Sequence, residues 1–409
     1  MKILIVNTYY APEIIGGAEL SVKKLAEGLA ERGEEPAVLA TGEQDSADNV
    51  NGITVYRFRP ANACRAVRID GKSSLVKFTR RMQDIWNRKN TSRISHVLDS
   101  FRPDVVHTNG LYDISPVIWA LAGQRGIRVV HTLRDYYLRC PLVSYDCSYR
   151  DEPCRYPKLL CSYHAERNRK ASGLVDFVTA PSRITLDTML EQGYFSGKPH
   201  AVIPNAIDFR PEEVQDLLRW KNARRSDQRI FVYLGGLTEQ KGIRWLLSAF
   251  RLTADHPEFR LLLAGRGPLE KEVRKAATED GRIRYLGFLN EEAVGRVLDE
   301  GDVLLCPSLW NEPFGRVVLD AYKHAMPVIS SDRGALPELV RDGITGDVVS
   351  AGNDGALAAC MKAYAPDEKD DSLPWKRERA AAELNRYSVS SQVTMFLRDA
   401  YQKPGEGMG

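Results

Sequence analysis

The chain has 409 residues, too many for one compact core, so two domains are expected. Its composition, 43% hydrophobic and 27% charged, is that of a globular protein, and 57 basic against 54 acidic residues leave a net charge of only +3. That balance argues against a nucleic-acid partner held by bulk charge, and no apolar run approaches the roughly 18 residues of a membrane span. The opening "MKILIVNTYYAPE" has too short an apolar stretch for a signal-peptide core, so a cytoplasmic chain is expected, with any membrane contact peripheral at the inner face.

Short β-branched runs at 2–6, 36–41, 53–58, 104–108, 128–133, 176–180 and 200–205 alternate with helical stretches, the pattern of a parallel sheet wrapped by helices. In the first helix Val22, Leu25, Ala26 and Leu29 fall at i, i+3, i+4 and i+7, and Gly33 stands where a helix ends. Gly16 and Gly17, between the first strand and that helix, make either a tight turn or a place where backbone can approach a phosphate or sugar. Their spacing is not G-x-G-x-x-G, which argues against a dehydrogenase.

A polar stretch, 206–228, reads as a linker after a first domain of residues 1–205. A second strand-and-helix series follows in "RIFVYLGG", "RLLLAG", "IRYLGFL", "DVLLCPS" and "PVISSD", giving a domain over 229–385, then a C-terminal helix over 386–401 and a disordered tail, 402–409. The fold class predicted is α/β, with two doubly wound Rossmann-like domains facing across a cleft and ligands at the strand C-termini.

"NEPFGRVVLD", residues 311–320, sets Glu312 and Asp320 eight positions apart across a Pro-Phe-Gly turn. Pro313 and Gly315 predict a turn and then a helix whose buried face is Val317, Val318, Ala321, Tyr322 and Ala325. Eight helical residues rise about 12 Å, and the amides at the helix start attract an anion. Carboxylate, anion site and carboxylate in a row suit a nucleotide sugar, with hydroxyls at both ends and a diphosphate between. The competing reading is that both acids merely favour a helix N-terminus.

The longer stretch "LLCPSLWNEPFGRVVLDAYKHAMPVISSDRGALPELVRDGITGDVV", 304–349, resembles the donor-binding core of glycosyltransferase family 4, retaining enzymes of the GT-B fold. "IGGAE" (15–19), "VIPNAID" (202–208), "YLGGLTEQKGI" (233–243), "LAGRGP" (263–268) and "YLGFL" (285–289) stand in that family's order and extend the likeness over most of the chain. The resemblance implies an acceptor-binding first domain and a second that binds a nucleotide-diphosphate sugar. It implies that Glu312 takes hydroxyls of the donor sugar, Asp320 those of the ribose, and Phe314 and Gly315 the diphosphate through their amides. Gly236, Arg266, Arg316 and Val317 would complete the donor site, with Gly16 and Gly17 lying on the other domain. Lys241 would neutralise the leaving phosphate, so that neither a metal ion nor a cofactor is required. His131, which ends the strand "RVVHTL", matches a family histidine near the donor sugar and acceptor, and His107 on the neighbouring strand would support it.

For the retaining transfer, the resemblance implies that a donor phosphate oxygen helps to deprotonate the acceptor hydroxyl. No carboxylate couple suited to double displacement is visible. The family commonly has Glu where this chain has Asp320, and Arg where it has Gly236. Arg266, Arg316 or Arg333 would have to compensate; otherwise the chain is a nucleotide-sugar-binding protein with lost or weak catalysis. A phosphorylase of the same architecture is disfavoured, because no insertion is long enough to build its extra sites.

Two features belong to this chain. Cys140, Cys147, Cys154 and Cys161 recur every seven residues within a tyrosine-rich excursion, 136–164, that leaves the sheet edge just after His131. Four thiols can hold a structural zinc ion, but there is no C-x-x-C pair, so unligated or redox-active thiols are the alternative. The excursion is a candidate lid or acceptor-recognition loop. The segment 64–93 carries nine basic residues against Asp70 and Asp84, with Leu75, Phe78, Met82, Ile85 and Trp86 as an apolar stripe. It reads either as a surface for anionic membrane, suited to a glycan or lipid-linked acceptor, or as a packed helix with solvated charges.

Overall fold

The computed structural model describes residues 1–66, 73–141, 158–224, 226–366 and 372–402. One compact unit is built from Met1–Tyr145, Arg155–Ala206 and Val389–Gly409, and the other chiefly from Ile207–Ser388.

The first unit holds an eight-stranded sheet: β1 Lys2–Val6, β2 Glu35–Thr41, β3 Ser46–Val50, β4 Ile53–Phe58, β5 Val105–Thr108, β6 Arg128–Thr132, β7 Phe177–Ala180 and β8 His200–Val202, in the order β3-β4-β2-β1-β5-β6-β7-β8. Every neighbouring pair is parallel except β3 with β4. That exception is a hairpin turned at Asn51 and Gly52, both with positive φ (54° and 84°), as the right-handed strand twist demands of a two-residue turn. The strand order reverses direction at β1 and β5, which is where such sheets open a crevice. Helix Gly17–Glu31 buries Val22, Leu25, Ala26 and Leu29 against Ile3, Ile5, Val38 and Val105. Full burial of each larger side chain contributes about 1.5–3 kcal/mol.

The second unit holds β9 Arg229–Leu234, β10 Phe259–Ala264, β11 Ile283–Tyr285, β12 Val303–Cys306, β13 Val328–Ser331 and β14 Gly346–Val349, all parallel in the order β11-β10-β9-β12-β13-β14. Phe231, Tyr233, Leu261, Leu263, Val303 and Leu305 face one core, while Val232, Leu262, Leu304 and Cys306 face the other. Both faces are covered by helices, which is why these strands read as continuous apolar runs.

Two expected boundaries differ from the structure. The stretch read as a linker, 206–228, contains a helix, Pro211–Ala223, that belongs to the second unit and buries Val214, Leu218 and Lys221. The Lys221 ammonium donates to the carbonyls of Leu298 and Gly301 at 2.8 and 2.7 Å, closing the C-terminal end of helix Glu291–Glu300, and burial pulls its pKa down to about 7. The exposed face of helix Pro211–Ala223, with Glu212, Glu213, Gln215, Asp216 and Arg219, is why the stretch read as a linker. The region expected as one helix over 386–401 ends a 3₁₀ turn at Tyr387, then runs as helix Val389–Met395 and a π-helical turn, Phe396–Tyr401. Residues 389–401 pack on the first unit: Phe396 and Tyr401 join its core, and the Tyr401 hydroxyl lies 2.7 Å from His107 Nδ1.

This return segment is packed tightly against helix Gly17–Glu31. A Cβ on Gly28 would meet Val389 Cγ1 at 2.5 Å and Val393 Cγ2 at 3.0 Å. Replacing a mid-helix glycine by alanine ordinarily gains up to about 1 kcal/mol, whereas overpacking a core costs about 1–3 kcal/mol. Gly28→Val should therefore lower stability by about 1–3 kcal/mol in urea titrations, and an unchanged midpoint would show that the segment does not dock there.

Candidate active site

In the second unit the predicted residues gather at the C-terminal ends of β9, β10, β12 and β13. Glu312 lies in the loop after β12 and is only 6% exposed. Its Oε1 is 2.5 Å from Lys241 Nζ and accepts from Ser308 Oγ at 2.6 Å. Lys241 comes from the 3₁₀ turn Glu239–Lys241 after β9, and its ammonium stands 5.5 Å over the Trp310 ring. Burial alone would push the Glu312 pKa up, but the Lys241 cation and the Ser308 hydroxyl outweigh it and hold the carboxyl below its ordinary 4.5. Lys241 shows the converse: burial pulls down and Glu312 pulls up more strongly, leaving it above 10.5.

The loop conformation depends on two glycines. Gly315 has φ 97°, and a Cβ there would meet Leu336 Cδ2 at 2.7 Å; Gly334 has φ 57°, and its Cβ would meet the Glu312 backbone nitrogen at 2.3 Å. Gly315 caps helix Arg316–Lys323 with no side-chain hydrogen bond to the first amides, which leaves that helix start open to an anion. Phe314 anchors the turn, 4% exposed, with its ring edge against Tyr387. Val317 is half-buried on the same helix. One turn on, Asp320 is partly exposed, with Arg316 Nη2 4.0 Å away; burial raises its pKa while Arg316, His324 and Lys323 oppose the rise. Arg266 is exposed and lays its guanidinium 3.8 Å above the Phe288 ring. Arg333 is 3.8 Å from Asp332. Gly236 has open space: the nearest atom to a Cβ is Thr238 Cγ2, 3.8 Å away.

In the first unit three sets of predicted residues have surroundings that differ from the expectation. The Gly16 amide donates to Glu19 Oε2 at 2.8 Å, so the chain's own carboxylate occupies the start of helix Gly17–Glu31 where a ligand phosphate was expected at Gly16 and Gly17. Burial pushes the Glu19 pKa up against these hydrogen bonds. His131 is 3% exposed, its Nδ1 2.9 Å from Thr108 Oγ1, its ring stacked on Phe195 and edge-on to Trp119. Burial drives its pKa to about 3, so the imidazole is neutral. His107 is likewise sealed between Tyr401 and Thr132. The residue that reaches the edge after β6 is Arg134, partly exposed, with Nε donating to Asn109 Oδ1 at 2.9 Å and Nη1 to Asn205 Oδ1. The sequence reading passed over Arg134, Asn109, Asn205, Glu19 and Ser308, although Arg134 follows His131 by three positions at a strand end.

The third set is the basic segment. Arg80, in helix Ser74–Ile85, is buried between Asp113 (2.9 Å) and Asp84 (3.1 Å); Arg65 pairs with Glu13 (2.6 Å) and Glu43 (2.7 Å); Arg93 pairs with Asp45 (3.0 Å). Glu13, Glu43, Asp45 and Asp113, all outside the segment, thus pair with three of its nine basic residues, Arg80 also meeting Asp84 within it. Ile85 is buried and Met82 and Trp86 half-buried; the side chains of Leu75 and Phe78, and residues Arg68 and Lys72, lie outside the described part. Of the four spaced cysteines, Cys140 is buried and Cys161 half-buried, while Cys147 and Cys154 also lie outside it. Among the described residues no helix is long and apolar enough to cross a membrane.

Two parallel-sheet Rossmann-like domains with these strand-end loops have the architecture of the GT-B fold. The chain matches "Glycosyltransferase Family 4" over residues 15–210 and "Glycosyl transferases group 1" over 228–367, and it belongs to glycosyltransferase family 4. It is 28% identical over 345 residues to an uncharacterized 42.6 kDa protein in the cps region of Klebsiella pneumoniae, covering 83% of this chain and 88% of that one. It is 24% identical to the phosphatidyl-myo-inositol mannosyltransferase of Mycobacterium leprae, covering 95% and 94% of the two chains. Among solved structures, HepE of Anabaena in complex with UDP superposes with TM-score 0.69 at 18% identity, over 97% of this chain and 98% of that one.

The Glu312–Lys241 pair makes stability depend on pH with a defined sign. A carboxyl held below 4.5 stabilises above that value and loses its contribution as pH falls through the lowered pKa; an ammonium held above 10.5 stabilises below that value and loses it as pH rises. Lys241→Met strands Glu312 as an unpaired buried acid. Because the lysine side chain is 35% exposed, the cost should be about 2–3 kcal/mol at pH 8, below that of a fully buried pair. It should shrink at pH 5 as Glu312 takes up a proton. A pH-independent loss in urea titrations would refute the coupling.

Proposed function

We propose that the chain is a retaining, metal-independent glycosyltransferase that moves a sugar from a nucleotide diphosphate to a hydroxyl of a glycan or lipid-linked acceptor, in polysaccharide or glycoconjugate biosynthesis. The observation that carries this reading is the Glu312–Lys241 pair beside the uncapped start of helix Arg316–Lys323. Glu312 accepts hydrogen bonds from donor-sugar hydroxyls. A bound diphosphate competes with Glu312 for the Lys241 ammonium, and as the anomeric C–O bond breaks, Lys241 and the helix-start amides meet the charge that grows on the leaving phosphate. The acceptor oxygen bonds to the anomeric carbon on the face the phosphate leaves, and its proton passes to a phosphate oxygen. Asp320, on the same helix, takes the ribose hydroxyls. With His131 enclosed, no protein base is assigned. The UDP and UDP-glucose complexes of HepE make UDP-sugars the first donors to try.

The test is binding and slow hydrolysis of a panel of UDP-, GDP-, TDP- and ADP-sugars, with and without a chelator, reading the anomer released by NMR. Chelator-resistant binding with release of sugar in the donor's configuration is expected; inversion or strict metal dependence overturns the mechanism. Tight binding with no release, even with candidate acceptors present, identifies a nucleotide-sugar-binding protein instead.

Glu312→Gln and Lys241→Ala should each lower turnover by about 10²–10³-fold, as loss of one transition-state contact does elsewhere. Parental turnover in either variant would refute its assignment. Gly236→Arg, at a site with room for a side chain, should tighten donor binding about tenfold through a charge-assisted contact to the diphosphate. Unchanged affinity would place the diphosphate away from residue 236.

A further inference from the structure

Arg134 differs in its setting from the buried arginines of the first unit: Arg128, at the start of β6, donates Nε to the Ala400 carbonyl at 2.8 Å and lies 5.9 Å from the Phe177 ring centroid, whereas Arg134 is partly exposed at the opposite, C-terminal edge. Arg65 and Arg80 each meet two carboxylates, but among the described residues no carboxylate pairs with the Arg134 guanidinium. Its Nε and Nη1 donate to the side-chain oxygens of Asn109 and Asn205, and its Nη2 has no partner. An arginine only donates, so both amides must turn their oxygens towards it. They fix the plane of the fork without cancelling its charge. The asparagines are themselves buried, Asn109 at 4% and Asn205 at 7% exposure, and the three residues follow β5, β6 and β8 at the C-terminal edge of the sheet. The nearby Glu19 is engaged by the Gly16 amide and acts on Arg134 only at longer range. Burial lowers the guanidinium pKa to about 10, which still leaves it charged at neutral pH.

The guanidinium is partly exposed and its fixed partners are neutral, so its charge stays available to an anion arriving at the sheet edge. The second unit already supplies Lys241 and helix-start amides for the diphosphate. We propose that Arg134, oriented by Asn109 and Asn205, is the receptor for an oxyanion, a carboxylate or phosphate group, carried by one of the substrates. This rests on the glycosyl-transfer reading, because it takes the ligand at this sheet edge to be a substrate. The oxyanion belongs either to an acidic sugar of the donor or to the acceptor.

The experiment measures, by calorimetry on the full chain, UDP-glucuronate against UDP-glucose, and methyl phosphate and methyl glucuronide against methyl glucoside with the protein saturated in UDP. At least one charged probe should bind about tenfold or more tightly than its neutral counterpart. That preference should vanish in Arg134→Gln and survive in Arg134→Lys. Asn205→Asp, which supplies an internal counter-ion, should abolish the preference without lowering the melting temperature. A preference confined to UDP-glucuronate puts the oxyanion on the donor; one confined to the methyl probes puts it on the acceptor. No charge preference in the parent, or an equal preference in Arg134→Gln, overturns the proposal. Failure of UDP itself to bind would instead strike at the glycosyl-transfer reading.

Discussion

A carboxylate taken out of water constrains the second unit more than any other group. Glu312 can stay ionised at 6% exposure only while something answers its charge, and three separate parts of the chain are shaped to do so. The turn after β9 delivers Lys241, the end of β12 delivers Ser308, and the loop after β13 passes so close that only glycine fits at 334. The Ala335 amide then bonds the Glu312 carbonyl at 2.8 Å, tying that loop to the acid. The parallel sheet makes this convergence possible, because it brings the ends of β9, β12 and β13 to one edge.

The two units use the same topology to opposite electrostatic effect. Each has a helix start at its sheet edge, where unbonded amides favour an anion. In the first unit Glu19 fills that position from within; in the second, helix Arg316–Lys323 has no side-chain cap. The cations are distributed accordingly. Lys241 is paired and beside the open helix start, whereas Arg134 stands at the other sheet edge with neutral partners. This asymmetry distinguishes the two sheet edges on chemical grounds.

How much of this was legible in the sequence follows from the range of each interaction. Strands and helices with one apolar face could be read because their periods are local: β1, β2, β4 and helix Gly17–Glu31 fall where the pattern put them. The Glu312 loop was legible for a similar reason, its turn residues and acids being adjacent. β3 was missed because its exposed "SADNV" has no apolar face, although the Asn-Gly pair beside it is a hairpin signal. Helix Pro211–Ala223 was missed because its exposed face is polar, and Lys221 looks like surface until its carbonyl partners, some 80 positions away, are known. In the segment 64–93 the same range hid the partners of Arg65, Arg80 and Arg93. His131 was singled out because it ends a strand and matches a family histidine, while Arg134, three positions on, drew no notice; the structure finds His131 3% exposed and Arg134 partly exposed.

The departures at Gly236 and Asp320 first raised the prospect of a binder without catalysis, and the energetics of Glu312 speak against it. A buried ion pair is a poor device for stability: replacing both partners by apolar groups of similar size is often neutral or favourable. A protein that needed only to fold, or only to hold a nucleotide, would have little physical use for a desolvated carboxylate beside an ammonium. Asp320 and the helix-start amides would suffice to bind ribose and diphosphate. Glu312 and Lys241 become useful when charge must be met as it shifts from sugar to phosphate, because preorganised groups need no solvent rearrangement at that moment. On the proposed reading the costly pair serves the reacting end of the donor, and the missing arginine at 236 bears on how tightly that donor is held.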